Sequence, residues 1–167
     1  MKKALKYIGI VLLVVLVMIQ FIHPAKNIAA TPAAHHISKL YAVPADVEQT
    51  LVKACYDCHS NNTKYPWYSN VQPVDWWLNS HIKDGKRHLN FDEFTIYSIA
   101  RQYKKLEECM EETKEGEMPL ETYTLIHKNA VLTDAEKLSF TTWCETVRDS
   151  IKAKYPADSL VLPKKKK

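Results

Sequence analysis

Glycine is scarce in this chain, with 3 in 167 residues against 8 prolines and 17 aromatics (4 Trp, 9 Tyr, 4 Phe). A β-rich fold needs many tight turns, and tight turns draw on glycine. That class is therefore disfavoured, and stretches rich in Lys, Glu, Leu and Ala point to helix instead. The expected fold class is all-α. Acids are missing altogether from residues 1–44, which hold 5 Lys. Residues 45–163 hold 14 basic and 19 acidic side chains, and the last four residues are all Lys. The net charge of +4 thus hides a mildly acidic body with basic ends. A nucleic-acid partner would want basic residues gathered on the folded surface, so none is expected. A second C-x-x-C is absent too, which removes an all-thiolate zinc site. No βαβ context suggests thioredoxin-like chemistry.

Lys2, Lys3 and Lys6 precede an apolar run over 7–22, broken only by Gln20. It has no polar face, so a buried amphipathic core helix is a poor reading. Residues 1–22 are read as a secretory signal or a membrane anchor. No clean A-x-A cleavage site follows, which favours retention as a transmembrane helix. The positive-inside rule then puts the body that follows on the periplasmic, extracytoplasmic side of the cell membrane. Residues 23–44, with Pro24, Pro32 and Pro44, show no sustained period and read as a linker. The adjacent His35 and His36 read as solvated rather than as metal ligands.

The chemistry centres on Cys55-Tyr56-Asp57-Cys58-His59, which has the C-x-x-C-H spacing of a c-type haem attachment site. Two thiols add across the two vinyl groups of a haem, so they must be held a fixed distance apart. The histidine directly after the second thiol lies under the iron and offers one axial nitrogen. A helix from Asp46, with Val47, Leu51 and Ala54 at helical spacing, runs straight into Cys55. Tyr65, Trp67 and Tyr68 form an aromatic cluster in a polar loop. Such a cluster needs something to cover, and a porphyrin face or the protein core would serve.

Further helices are expected over 74–87, with Trp77, Leu78, His81 and Ile82 on one face, and over 90–114. The acidic run at 107–117 reads as a solvated face. Met118-Pro119 follows in a loop after Gly116, where proline prevents helix continuation. A methionine held there can reach the vacant face of the iron and raise its reduction potential. A short helix over 121–128 carries Tyr123 and His127. Thr133 and Glu136 form a capping box that opens a closing helix over 134–154. Residues 45–155 would make the domain and 156–167 a basic tail. Cys109 and Cys144 remain as a disulfide or as two small hydrophobes.

Taken together, several segments resemble the haem-binding-domain family of small membrane-anchored c-type cytochromes. They are C-x-x-C-H-S-N, Tyr65-Pro66-Trp67-Tyr68, Pro73-Val74-Asp75-Trp76-Trp77, His81-Ile82, Leu89-Asn90-Phe91, Met118-Pro119-Leu120 and Leu132-Thr133. The likeness spans about residues 40–155. It implies a cytochrome c-like helical domain around one haem c, attached through Cys55 and Cys58, in which a carboxy-terminal helix crosses the first to close the core. The iron would lie between His59 and a sixth ligand, for which Met118, His81, His127 and an open face all stand. Arginine is expected directly after Gly85; here Lys86, Arg87 and His88 leave the propionate partner ambiguous. The function so implied is single-electron transfer to an unidentified redox partner protein, at a membrane reached through the N-terminal helix. The alternative is a haem-based sensor or a peroxidase-like enzyme with an open distal site.

Overall fold

A computed structural model describes residues 1–163. The lysine run at 164–167, expected to close the basic tail, lies outside the described residues. Seven α-helices occur in chain order among short 3-10 turns, with no strand among the described residues. They are α1 (Lys2–Ile19), α2 (Ala45–Ala54), α3 (Tyr56–His59), α4 (Val74–His88), α5 (Ile99–Glu115), α6 (Glu121–Ile126) and α7 (Asp134–Lys154). The all-helical expectation is met.

The core forms where α5 and α2 pack on α7. Val47 and Leu51 of α2, Leu106 and Met110 of α5, and Phe140, Trp143, Val147 and Ile151 of α7 are buried there with Phe91 and Phe94. Each set recurs at three- and four-residue steps, the spacing that places side chains on one helix face. The capping box is present: Thr133 Oγ1 accepts from Glu136 N at 3.3 Å, and Glu136 Oε2 accepts from Thr133 N at 2.8 Å. Lys53 Nζ lies 2.6 Å from Glu136 Oε1, tying α2 to the start of α7. This ammonium, with the Thr133 backbone, holds the Glu136 carboxyl below its ordinary range.

Three expectations change. The helix read over 90–114 is two elements, a 3-10 segment Phe91–Ile96 and then α5. The break falls where the Ser98 side chain accepts from Arg101 N and caps α5. Asn90 caps the 3-10 segment, its side chain accepting from Asp92 N. Second, residues 23–44 are not a free linker. Ile37 is wholly buried, Trp143 Nε1 donates to Ala42 O at 2.9 Å, and Asn27 Nδ2 donates to Ser60 O at 2.9 Å. Third, no helix among the described residues is long and apolar enough to cross a membrane. The reason is arithmetic. Lys2, Lys3 and Lys6 occupy the first turn and more of α1, and the apolar remainder rises about 20 Å against the ~30 Å of a hydrocarbon core. No residue of α1 is buried.

Removing the hydroxyl that caps α7 should be felt throughout the α2–α7 contact. Thr133→Ala is expected to lower stability by about 1 kcal/mol. Urea unfolding should show a lower midpoint at unchanged slope.

Candidate functional site

The C-x-x-C-H segment sits at a bend between two helices. Cys55 ends α2 with φ −120° and ψ −45°, and α3 turns the next residues back. His59 N and Cys58 N both donate to Cys55 O, at 2.9 and 3.2 Å. The α4 helix lies directly on this turn, and Gly85 is what lets it approach. A Cβ at position 85 would meet Cys58 O at 2.8 Å and Cys58 Cβ at 3.2 Å. Only a residue without a side chain allows that distance.

His59 is fixed by its surroundings. Its Nδ1 lies 3.0 Å from Leu89 O, and a carbonyl can only accept, so Nδ1 carries the proton. Nε2 is left with its lone pair. Burial pushes the His59 pKa below the ordinary imidazole value, partly opposed by the Leu89 and Gly85 carbonyls. The side chain is therefore a neutral, oriented imidazole at pH 7, the form that ligates a metal.

Two adjoining cavities of about 310 and 180 Å³ flank it, and both are walled by Ala54, His59, His88 and Met118. Cys55, Leu89, Phe91 and Phe140 line the larger one. Cys58, His81, Asp84, Gly85, Leu120 and Tyr123 line the smaller. The larger cavity alone reaches the lower end of the roughly 300–1,000 Å³ usual for small-molecule and cofactor clefts. Met118 arrives because α5 stops: Gly116 adopts φ 81° and caps the helix with its N–H on Glu112 O, and Met118 N returns to the same oxygen at 3.1 Å. A left-handed residue at that position is a glycine device.

The residues expected at the site divide. Cys55, Cys58, His59, Met118 and His81 come together on the cavity walls. Tyr65, Trp67, Trp77, Arg87 and His127 do not. The Tyr65 hydroxyl instead accepts from Asn27 N at 2.7 Å, Trp67 is 80% exposed, and Arg87 pairs with Asp84 at 2.8 Å on the surface. Trp77 packs against His81 with the two rings tilted by 46° and their centroids 4.2 Å apart. His127 is engaged by the Tyr68 hydroxyl at 2.5 Å and stacks on Tyr123.

Other wall residues were not singled out from sequence. Lys105, Glu108, Cys109, Glu112 and Thr113 form a stripe of α5 along the larger cavity, with Lys105 Nζ 2.5 Å from Glu108 Oε2. Part of the acidic run taken for a solvated face thus lines the cleft. Its steps of three and four residues were the signal. Cys109 and Cys144 are free thiols, not a disulfide, and burial raises the pKa of both.

An iron porphyrin fits what these residues offer: a neutral imidazole with one free nitrogen, a thioether on the shared wall, mainly apolar linings and two thiols beside them. Among the described residues no group of three or more His, Cys, Asp or Glu side chains is arranged to hold a bare metal ion. The comparison with known families agrees with the iron porphyrin. The model of the haem-binding domain matches residues 14–146. The chain belongs to that family. No curated protein and no solved structure matches it. Haem binding is therefore this domain's property.

The thiols of this haem-binding domain are not tuned as redox nucleophiles, which carry depressed pKa values. Burial pushes Cys55 up to about 12 and Cys58 up to about 11. Both stay protonated in the folded chain well above the ordinary thiol value of roughly 8.5. In haem-free protein, alkylation of Cys55 and Cys58 by iodoacetamide should be slow at pH 8 and accelerate only as pH nears 11. The denatured chain should react already at pH 8, at least about tenfold faster; mass spectrometry of the 55–59 peptide reads both. Separately, Gly85→Ala should destabilise by about 1–2 kcal/mol, because overpacking against backbone outweighs the ~1 kcal/mol gain in helix propensity. Denaturant unfolding checks the sign.

Proposed function

We propose that this haem-binding domain is a monohaem c-type cytochrome that carries single electrons. One observation carries the reading: His59 and Met118 share the walls of both cavities, beside Cys55 and Cys58. Haem, when bound, supplies a one-electron iron couple. The chain supplies the rest. Cys55 and Cys58 offer their sulfurs to the two vinyl groups, one thiol in each cavity wall. His59 presents Nε2, aimed by the bond from Nδ1 to Leu89 O. Met118 offers its thioether from the loop after α5, which favours the reduced state relative to a second imidazole. Phe91, Phe140 and Leu89 exclude water, and Lys105 and His88 offer donors to the propionates.

Export and membrane association complete the reading. Lys2, Lys3 and Lys6 before an apolar helix are the pattern of an export signal, for which a run shorter than a full span suffices. Kept in place, the same helix holds the domain at the membrane surface, outside the cytoplasm. A redox partner protein would exchange electrons with it there.

The spectrum of the purified protein tests the axial pair. The ferric form should be low-spin with a weak far-red charge-transfer band, and Met118→Ala should abolish that band and open the iron to carbon monoxide. Met118→His should keep a low-spin spectrum and lower the reduction potential by on the order of 0.1 V or more, within the ~0.8 V that axial ligands command. A bis-imidazole spectrum in the unaltered protein would overturn the Met118 assignment and point to His81. A high-spin ferrous form that takes up carbon monoxide would favour the sensor or peroxidase-like alternative.

A further inference from the structure

The chain between α1 and the domain is bonded to the start of α4 at several points. Gln72 N donates to Gln20 Oε1 at 2.9 Å, and Gln20 Nε2 donates back to Gln72 O at 3.3 Å. Ile22 O accepts from both Gln72 Nε2 at 2.6 Å and Trp76 Nε1 at 3.0 Å. His23 Nδ1 meets Asp75 Oδ2 at 2.7 Å. Asp75 is only 3% exposed and Gln72 only 2%. A carboxylate removed from water needs hydrogen-bond partners. The closest partner of Asp75 comes from the segment that leads to α1, and its other donor, Gln72 Nε2 at 3.3 Å, is itself bonded to Ile22 O of that segment, so detaching the segment disturbs both.

From this we propose that the haem-binding domain does not hang on a tether but is seated on a lipid bilayer in one orientation. In that seat α1 lies in the hydrocarbon, Trp76 and Trp77 lie in the headgroup layer, and α4 is the strut between membrane and haem pocket. This rests on the membrane association proposed above. The occupant is lipid rather than a protein groove because α1 is apolar on every side and exposed along its length. A groove-binding helix shows one apolar face. The apolar length of α1 falls short of a full span, and the long side chains of Lys2, Lys3 and Lys6 at its far end reach anionic headgroups by snorkelling while the bilayer thins around the helix. At its near end Trp76 and Trp77 are half-exposed, and the Trp76 indole N–H is satisfied by Ile22 O, the amphipathic placement that tryptophan adopts at interfaces. Asp75 and Trp76 sit in the first turn of α4, whereas Gly85 and His88 near its end touch the C-x-x-C-H turn and the cavities. Ten residues of helix separate Asp75 from Gly85, about 15 Å at 1.5 Å per residue. The strut therefore fixes both the height and the tilt of the haem.

The test uses full-length, haem-loaded protein with mixed phosphatidylcholine–phosphatidylglycerol membranes. Vesicle co-sedimentation reads attachment, and linear dichroism of the Soret band in aligned bilayers of the same lipids reads orientation. The unaltered protein should co-sediment and give a strong dichroic signal. Gln20→Ala with His23→Ala should co-sediment equally but lose most of the dichroism. In the haem-free chain, lipids brominated near the headgroup should quench tryptophan emission, and less so in Trp76→Phe. Co-sedimentation without dichroism in the unaltered protein would overturn the fixed seat while leaving membrane association intact. Full dichroism in the double variant would overturn the junction's role. Failure to co-sediment would overturn the membrane association and the seat with it.

Discussion

The hydrogen bond from His59 Nδ1 to the Leu89 carbonyl is the contact on which the site depends. It selects the tautomer, aims the ring and ties the C-x-x-C-H turn to the residue at which α4 ends. For Leu89 to be within reach, α4 must lie against the turn, and Gly85 makes that approach possible. Three features far apart in character, a C-x-x-C-H motif, a glycine in a helix and a backbone carbonyl, serve one geometry. None of them would hold a ligand alone.

Around that contact the molecule divides its tasks between helix pairs. The α2, α5 and α7 core, sealed by Phe91 and Phe94, gives the domain its stability. The α3–α4 pair and the loop after α5 build the cavities. The two parts meet at Cys55, which closes α2 and also lines the larger cavity. The cavity and the core helix are therefore joined through one residue, with no loop between them.

Much of this was legible in the sequence. The C-x-x-C-H motif, the helix before it, the Met118 loop and the α7 capping box all rest on local chemistry, which a short window contains. What was missed is long-range. Residues 23–44 looked like a linker because their prolines deny any period, yet Ile37 and Asn27 find partners that no local pattern reveals. Trp67 and Arg87 were drawn to the cofactor by residue type alone; the fold leaves both on the surface. Conversely Glu108, Cys109 and Glu112 were hidden inside an acidic run that suggested solvent, although their helical spacing was there to be read. The α1 segment shows how a length argument decides: its apolarity is plain, but counting rise per residue after Lys6 shows that it falls short of a full span.

The central claim is a haem held by both thiols of the motif, and the mass of the denatured, acid-extracted chain tests it most directly. The account predicts that the protein, produced where haem attachment can occur, retains the mass of one haem on the peptide containing Cys55 and Cys58. Replacing both cysteines by alanine should remove it. A chain that releases all its haem on denaturation, leaving both thiols free, would contradict the claim.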